Sequence, residues 1–175
     1  MNQQIIQVAG FSNSGKTTLV EKLVRLLTKE GYRVGTLKHH GHGGQLTSTD
    51  YGKDSWKHSQ AGSIASCAVS AGDLQLTINK EQHWEVDELL SIYCKLPIDV
   101  IVIEGFKMAQ YPKIVILKEE KDVTLLSKLK NIFCVISWFP LETDKKMQGI
   151  SYFQIEEEGH YTNFILQKVK GQDNE

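Results

Sequence analysis

A chain of 175 residues is most economically one domain, long enough to bury a core of its own. Hydrophobic content of 41%, charged content of 23% and a net charge of −1 are globular values, and they give no electrostatic reason to expect nucleic acid or a membrane surface as partner. The longest apolar runs, such as Val100 to Ile103 and Ile132 to Ile136, fall well short of the roughly 20 residues needed to cross a bilayer, which predicts a soluble, cytoplasmic protein. Cys67, Cys94 and Cys134 are far apart, lack C-x-x-C spacing and come without a signal peptide, so they read as buried thiols in a reducing compartment.

Ile5, Ile6, Val8 and Ala9 form a first apolar strand. It runs into Gly10-Phe11-Ser12-Asn13-Ser14-Gly15-Lys16-Thr17, which satisfies G-x-x-x-x-G-K-[ST] at every fixed position. Glycines at both ends of such a loop let backbone N–H groups approach an anion without an intervening Cβ. Lys16 then reaches the β- and γ-phosphates, the Thr17 hydroxyl ligates Mg²⁺, and the following helix aims its positive end at the same charge. Leu19, Leu23, Leu26 and Leu27 place that helix over Lys16 to about Glu30, with Gly31 ending it. Tyr32 to Lys38 reads as a second strand, and strand-helix-strand order implies a right-handed crossover in a parallel sheet.

Ser48-Thr49-Asp50 offers N-cap chemistry for a helix over Asp50 to about Gln60, closed by Ala61-Gly62. Ser63 to Ser70 and Leu74 to Asn79 fit a hairpin. Trp84 to Leu96 is the next helix, broken by Pro97-Ile98-Asp99 before Val100 to Ile103, a continuous apolar run suited to a strand covered on both faces. Lys113 to Leu117 and Ile132 to Ser137 are further strands with a short helix over Val123 to Leu129 between them. Tyr152 to Ile155 is a weak outer strand, Gly159 to about Val169 a closing helix, and residues 170–175 a frayed polar tail. With no repeat or composition break, this order predicts one α/β domain over residues 1–169. The expected architecture is a three-layer P-loop NTPase-like domain, mostly parallel in its sheet, with helices on both faces and a β-hairpin excursion.

Three clusters carry the candidate chemistry. Glu104 ends the Val100 run at the sheet edge from which the phosphate loop leaves, so it should face Mg²⁺, holding the ion through a water or orienting an attacking water. The alternative is a carboxylate that merely caps its loop. Lys38-His39-His40-Gly41-His42 starts at a strand's carboxyl end. It is either a Gly-rich loop whose groups meet a phosphorylated ligand or a metal site with a weak ligand pattern, since H-H-x-H lacks helical spacing and a cysteine partner. Asp50, Asp54 and His58 are expected on one helix face with Lys53 and Lys57 beside them, as a solvated ion-paired face or as a face toward a substrate.

Four blocks together resemble the molybdopterin-guanine dinucleotide biosynthesis protein B family, the adaptor of the last step of bacterial molybdenum-cofactor maturation. They are V-A-G-F-S-N-S-G-K-T-T-L at 8–19, G-T-L-K-H-H-G-H at 35–42, D-Y-G-K-D-S-W-K-H-S-Q-A-G at 50–62 and V-I-V-I-E-G-F-K at 100–107. The resemblance implies a small homodimeric α/β protein that binds GTP and Mg²⁺, hydrolyses GTP slowly and assists the guanylyltransferase that joins GMP to molybdopterin. Molybdopterin itself is a further candidate ligand. Gly10, Ser12, Asn13, Ser14, Gly15, Lys16, Thr17 and Thr18 carry over as the phosphate site, Thr17 and Glu104 as the metal site, and Lys16 and Glu104 as the catalytic pair. Lys38, His39, His40, Asp50, Lys53, Asp54 and His58 carry over as matched family positions alone, and together with Lys107 they are the candidates for a second-ligand or partner site.

One departure stands out. Guanine readers often use N-K-x-D, and the near match here, Asn79-Lys80-Glu81-Gln82, has Gln82 in place of the aspartate, so guanine preference comes from the resemblance alone. Two other functions fit the loop: a small-molecule kinase, and a metal-loading GTPase using residues 39–42. Against the kinase stands the scarcity of arginine, since phosphoryl transfer recruits guanidinium groups and the chain has Arg25 and Arg33 alone.

Overall fold

The computed structural model describes residues 3–41, 46, 48–142 and 147–172. In chain order the elements are β1 (Gln4–Gly10), α1 (Lys16–Lys29), β2 (Val34–Lys38), α2 (Asp54–Gln60), β3 (Ala65–Ser70), β4 (Asp73–Ile78), α3 (Val86–Tyr93) and β5 (Val100–Glu104). They continue with β6 (Lys113–Leu117), a 3₁₀ turn over Glu120–Val123, α4 (Thr124–Lys128), β7 (Ile132–Ser137), β8 (Ser151–Gln154) and α5 (Glu158–Gln172). Two compact units result, one from Met1–Gly41 with Val86–Glu175 and the other from His42–Glu85.

The larger unit is a six-stranded sheet in the order β2-β5-β1-β6-β7-β8. Every pairing in it is parallel. Parallel strands need both faces covered, and the run Val100-Ile101-Val102-Ile103 meets that need by alternating between two cores. Val100 and Val102 join Ile6, Val8, Ile114, Ile116 and Ile136 against α1 and α5. Ile101 and Ile103 pack on α3 through Val86, Leu89 and Leu90. Ala9, Val115, Leu117 and Val135 receive Leu125, Leu126 and Leu129 from α4 and its end. Alternate residues of the same strands supply the α1–α5 core and the other two, so helices cover both sides of the sheet.

Helix α1 ends as its sequence predicts: Tyr32 N–H donates to Leu27 C=O and Gly31 N–H to Thr28 C=O, the Schellman pattern of a glycine-terminated helix. Lys22–Glu158 at 2.7 Å and Lys170–Glu30 at 2.6 Å tie α1 to α5 along their outer sides. The second pair corrects the expected tail, because α5 continues through Lys170 to Gln172 rather than fraying after Val169. Helix α3 is shorter than the predicted 84–96 at both ends. The cysteines also differ from expectation: all three are free, but Cys67 and Cys94 are exposed. Cys134 alone lies in the core, and burial pushes its thiol up to about 12.

The smaller unit holds α2 and the antiparallel hairpin β3–β4, joined at Ala71-Gly72. Helix α2 starts at Asp54, four residues later than predicted, with Lys53 as an N-cap that makes no side-chain cap bond. Asp50 is pulled out of the helix because its carboxylate accepts the hydroxyls of Ser48 and Ser55. Ser66 Oγ closes the unit by donating to Ser55 C=O at 2.9 Å.

Candidate functional site

Strand register decides which side chains meet at the carboxyl edge of the sheet. Lys38 of β2 and Val8 of β1 both lie opposite Glu104 of β5, and Gly10 lies opposite Ile116 of β6. The phosphate loop, the β5 carboxylate and the β2 lysine are therefore delivered within one or two residue rows, although nearly a hundred residues separate them in the chain.

At Gly10 a side chain has no room, since a Cβ would come within 2.6 Å of Ser14 Oγ and 2.9 Å of Ile116 C=O. Gly15 precedes α1 in the left-handed region, and the helix starts without a side-chain cap and with no acidic residue in its first turn. Its amino-terminal N–H groups and dipole thus carry positive potential that no side chain of the helix neutralises. Lys16 Nζ donates to Phe11 C=O across the loop at 2.5 Å. Burial holds its pKa below the ordinary lysine value; Glu104 opposes that shift, and the nearby charges of Lys107 and Lys38 add to it. Lys107 lies 4.2 Å from the centre of the Phe11 ring, which joins the residues after β5 to the phosphate loop.

The acidic end of the site is a closed triangle. Thr17 Oγ1 donates to Glu104 Oε1 at 2.9 Å, while Lys38 Nζ sits 3.1 Å from the same carboxylate oxygen and donates to Thr17 Oγ1 at 3.2 Å. Glu104 is 7% exposed, so its charge is held by these neighbours rather than by bulk water. A hydroxyl and a carboxylate side by side next to a cationic loop are oxygen donors of the kind a hard divalent cation takes, and the lysine ammonium now lies against both oxygens. Thr17 and Glu104 would hold Mg²⁺, and the loop with Lys16 would hold the phosphates of the nucleotide. The ion, once bound, would neutralise phosphate charge; the residues present supply binding and orientation.

Residues that sequence reasoning passed over fix this edge. Gln7 and Lys113 are buried polar groups in otherwise apolar strands. Gln7 Nε2 donates to the carbonyls of Gly105 at 2.7 Å and Phe106 at 2.6 Å. Lys113 Nζ donates to Gln7 Oε1, to Ala109 C=O and, at 3.3 Å, to Tyr111 C=O. This pair clamps the segment that follows Glu104, where Gly105 and Phe106 both have positive φ, of 91° and 46°. Burial drops the Lys113 pKa to about 8. The signal was available: a lysine opening an apolar strand and a glutamine in the middle of another. Trp138, after the carboxyl end of β7, was also missed; its indole N–H donates to Ser14 C=O at 3.0 Å, its ring lies beside Gly15, and the residue is 49% exposed.

Of the predicted positions, Gly10, Ser14, Gly15, Lys16, Thr17, Lys38, Glu104 and Lys107 are gathered at this edge by the contacts above. Ser12 and Asn13 are exposed on the loop, and Thr18 is exposed in the first turn of α1. His39 is exposed and stacks on Phe106 with ring centres 4.6 Å apart. His40 is exposed and His42 lies outside the described residues, as does any metal site that would include it. Asp50, Lys53, Asp54 and His58 belong to the smaller unit. There Asp50 is buried and its pKa is lowered by the Ser48 and Ser55 hydroxyls, so it does not share a helix face with the others. Asp54 pairs with Lys57 at 3.0 Å, while Lys53 and His58 are exposed. Asn79, the start of the near match to N-K-x-D, follows β4 in that unit and donates its N–H to Ile64 C=O at 2.8 Å.

Comparison with known proteins points to one family. The family model for molybdopterin guanine dinucleotide synthesis protein B matches residues 5–138. A probable molybdopterin-guanine dinucleotide biosynthesis adapter protein of Bacillus subtilis (strain 168) is 38% identical over 168 residues, covering 96% of this chain and 94% of its own. The corresponding adapter protein of Haemophilus influenzae is 35% identical, covering 86% and 85%. Among solved structures, Bacillus subtilis MobB superposes with a TM-score of 0.79 at 37% identity, over 96% of this chain and 99% of that one. A MobB homolog from Bacillus stearothermophilus gives 0.76 at 32%, over 95% and 98%.

Proposed function

This chain belongs to the molybdopterin guanine dinucleotide synthesis protein B family, and from that premise we propose that it binds GTP with Mg²⁺ at the phosphate loop. In this reading it serves molybdopterin guanine dinucleotide formation as an adapter, assisting a guanylyltransferase and itself hydrolysing GTP slowly. The observation that supports the nucleotide reading is the 2.9 Å contact between Thr17 and Glu104, which brings a loop hydroxyl and the β5 carboxylate together as a magnesium–nucleotide site would need.

Slow turnover follows from what surrounds that contact. Rate enhancement in phosphoryl transfer needs charge aimed at the transition state, and a supplied guanidinium can be worth about 10³–10⁵ in rate. Arg33 is committed to Asp99 at 2.6 Å, and Arg25 lies on α1 roughly 15 Å beyond the loop at 1.5 Å per residue. Lysines bind the phosphates without supplying a bidentate fork. A partner enzyme would provide the missing group, which favours an adapter over a free-standing kinase.

Calorimetry of GTP and ATP with Mg²⁺ tests the reading. GTP should bind more tightly than ATP, and turnover without a partner should be far below tens per second. Equal affinity for the two nucleotides would remove the guanine assignment, and fast unassisted hydrolysis would remove the adapter assignment.

A further inference from the structure

Lys38 and a divalent cation would compete for the same two oxygens. The ammonium is 3.1 Å from Glu104 Oε1 and 3.2 Å from Thr17 Oγ1, and these are the atoms that the magnesium–nucleotide reading assigns to the metal. A metal ion held by these oxygens, directly or through its water, would draw on the lone pairs and the space that the ammonium now uses, so the two cations would compete for them. The pair cannot simply be left without a cation, since a carboxylate that is 7% exposed would then be a buried, poorly compensated charge.

We propose that Lys38 is a displaceable counter-ion of the metal site. Its ammonium holds Thr17 and Glu104 in place and neutralises Glu104 until Mg²⁺ arrives with the nucleotide, and the metal then drives it off. Lys38 is well suited to leaving: it is half exposed, carried on a flexible stem, and is the last residue of β2. Because backbone N–H of the next residue, His39, donates to Glu104 C=O at 2.9 Å, the strand stays paired while the side chain moves. Metal arrival is thereby registered at Lys38-His39-His40, the exposed segment that leaves the sheet. This inference rests on the magnesium–nucleotide reading of the loop.

The test is the ratio of GTP dissociation constants measured by calorimetry in excess EDTA and in excess Mg²⁺, for the full chain and for Lys38→Met and Lys38→Arg. Removing the competing ammonium should raise that ratio by about threefold to tenfold, equivalent to about 0.7–1.4 kcal/mol, because the metal-free complex loses its stand-in cation while the metal complex loses its competitor. Lys38→Arg should stay close to the unmodified protein. An unchanged or smaller ratio in Lys38→Met, with both affinities falling together, would make Lys38 a phosphate ligand and overturn the proposal alone. A full chain whose GTP affinity does not respond to Mg²⁺ at all would overturn both the proposal and the reading beneath it.

Discussion

An ion pair stands at each end of the β2–β5 pairing, one just before the strands begin and one at their last residues, and the two are built differently. At the amino edge Arg33 holds Asp99 through three bonds, from Nη2 at 2.6 Å, Nε at 2.9 Å and its backbone N–H at 2.8 Å, which occupy both carboxylate oxygens. At the carboxyl edge Lys38 makes a single contact to Glu104, shared with the Thr17 hydroxyl. The first pair is closed and lies at an exposed turn, a brace between neighbouring strands. The second leaves coordination capacity on a buried carboxylate beside a cationic loop. Charge pairing alone does not separate the two ends; what differs is that the acid at the carboxyl edge is buried beside a cationic loop and its lysine is shared with a hydroxyl.

Substitutions can break or sharpen this contrast. The largest effect is expected at Lys16→Ala, which should lower GTP affinity by about 100-fold or more through loss of the charge on the phosphates, with an unchanged far-ultraviolet spectrum. Retained affinity in calorimetry would remove the loop from nucleotide binding. Glu104→Gln comes next. It keeps the size of the side chain but removes its charge, and should cost about tenfold in affinity in the presence of Mg²⁺ and less in EDTA. Equal loss in both conditions would mean that the carboxylate acts only through packing.

Lys113→Met sharpens the role of the clamp behind the carboxyl edge. It orphans Gln7 Oε1 and two backbone carbonyls, for a loss of about 1–3 kcal/mol in urea denaturation. Its pH dependence has a defined sign. Because the folded pKa of about 8 lies below the usual lysine value of 10.5, the folded state releases this proton first, so unmodified protein should gain stability relative to Lys113→Met as pH rises from 8 toward 10.5. A difference that stays flat over that window would deny the buried charge.

The smallest effect belongs to the closed pair. Asp99→Asn should lower Tm slightly at pH 7 and leave GTP affinity unchanged. Arg33 holds the Asp99 carboxyl at about 2, below its ordinary 3.8, so the pair's stabilisation is complete above pH 4 and fades as pH falls toward 2. The Tm difference between the two proteins should close over the same interval. A change in GTP affinity with Asp99→Asn would erase the distinction between the two ends of the strands.

Sequence alone determined most of the architecture, because the signals were local and strong. The glycine-bounded loop between an apolar strand and an amphipathic helix, the β-branched runs at 100–103 and 113–117, and Gly31 at the end of α1 each specify their own conformation with little help from distant residues. Helix starts set by side-chain competition were less legible: Asp50 had cap chemistry, but the Ser48 and Ser55 hydroxyls took its carboxylate and moved the start of α2 to Asp54.

Only the tertiary structure decided which polar groups share an atom. Parallel register set Lys38 and Val8 opposite Glu104, turning three separate motifs into one triangle of oxygens and nitrogen. Packing of the sheet's far face did the same for Gln7 and Lys113, whose strands look merely interrupted by a polar residue until the carbonyls after Glu104 are seen to need donors. The physical reason is range. Backbone propensity acts over a few residues along the chain, whereas a buried charge takes its meaning from whatever the fold brings within about 3 Å of it.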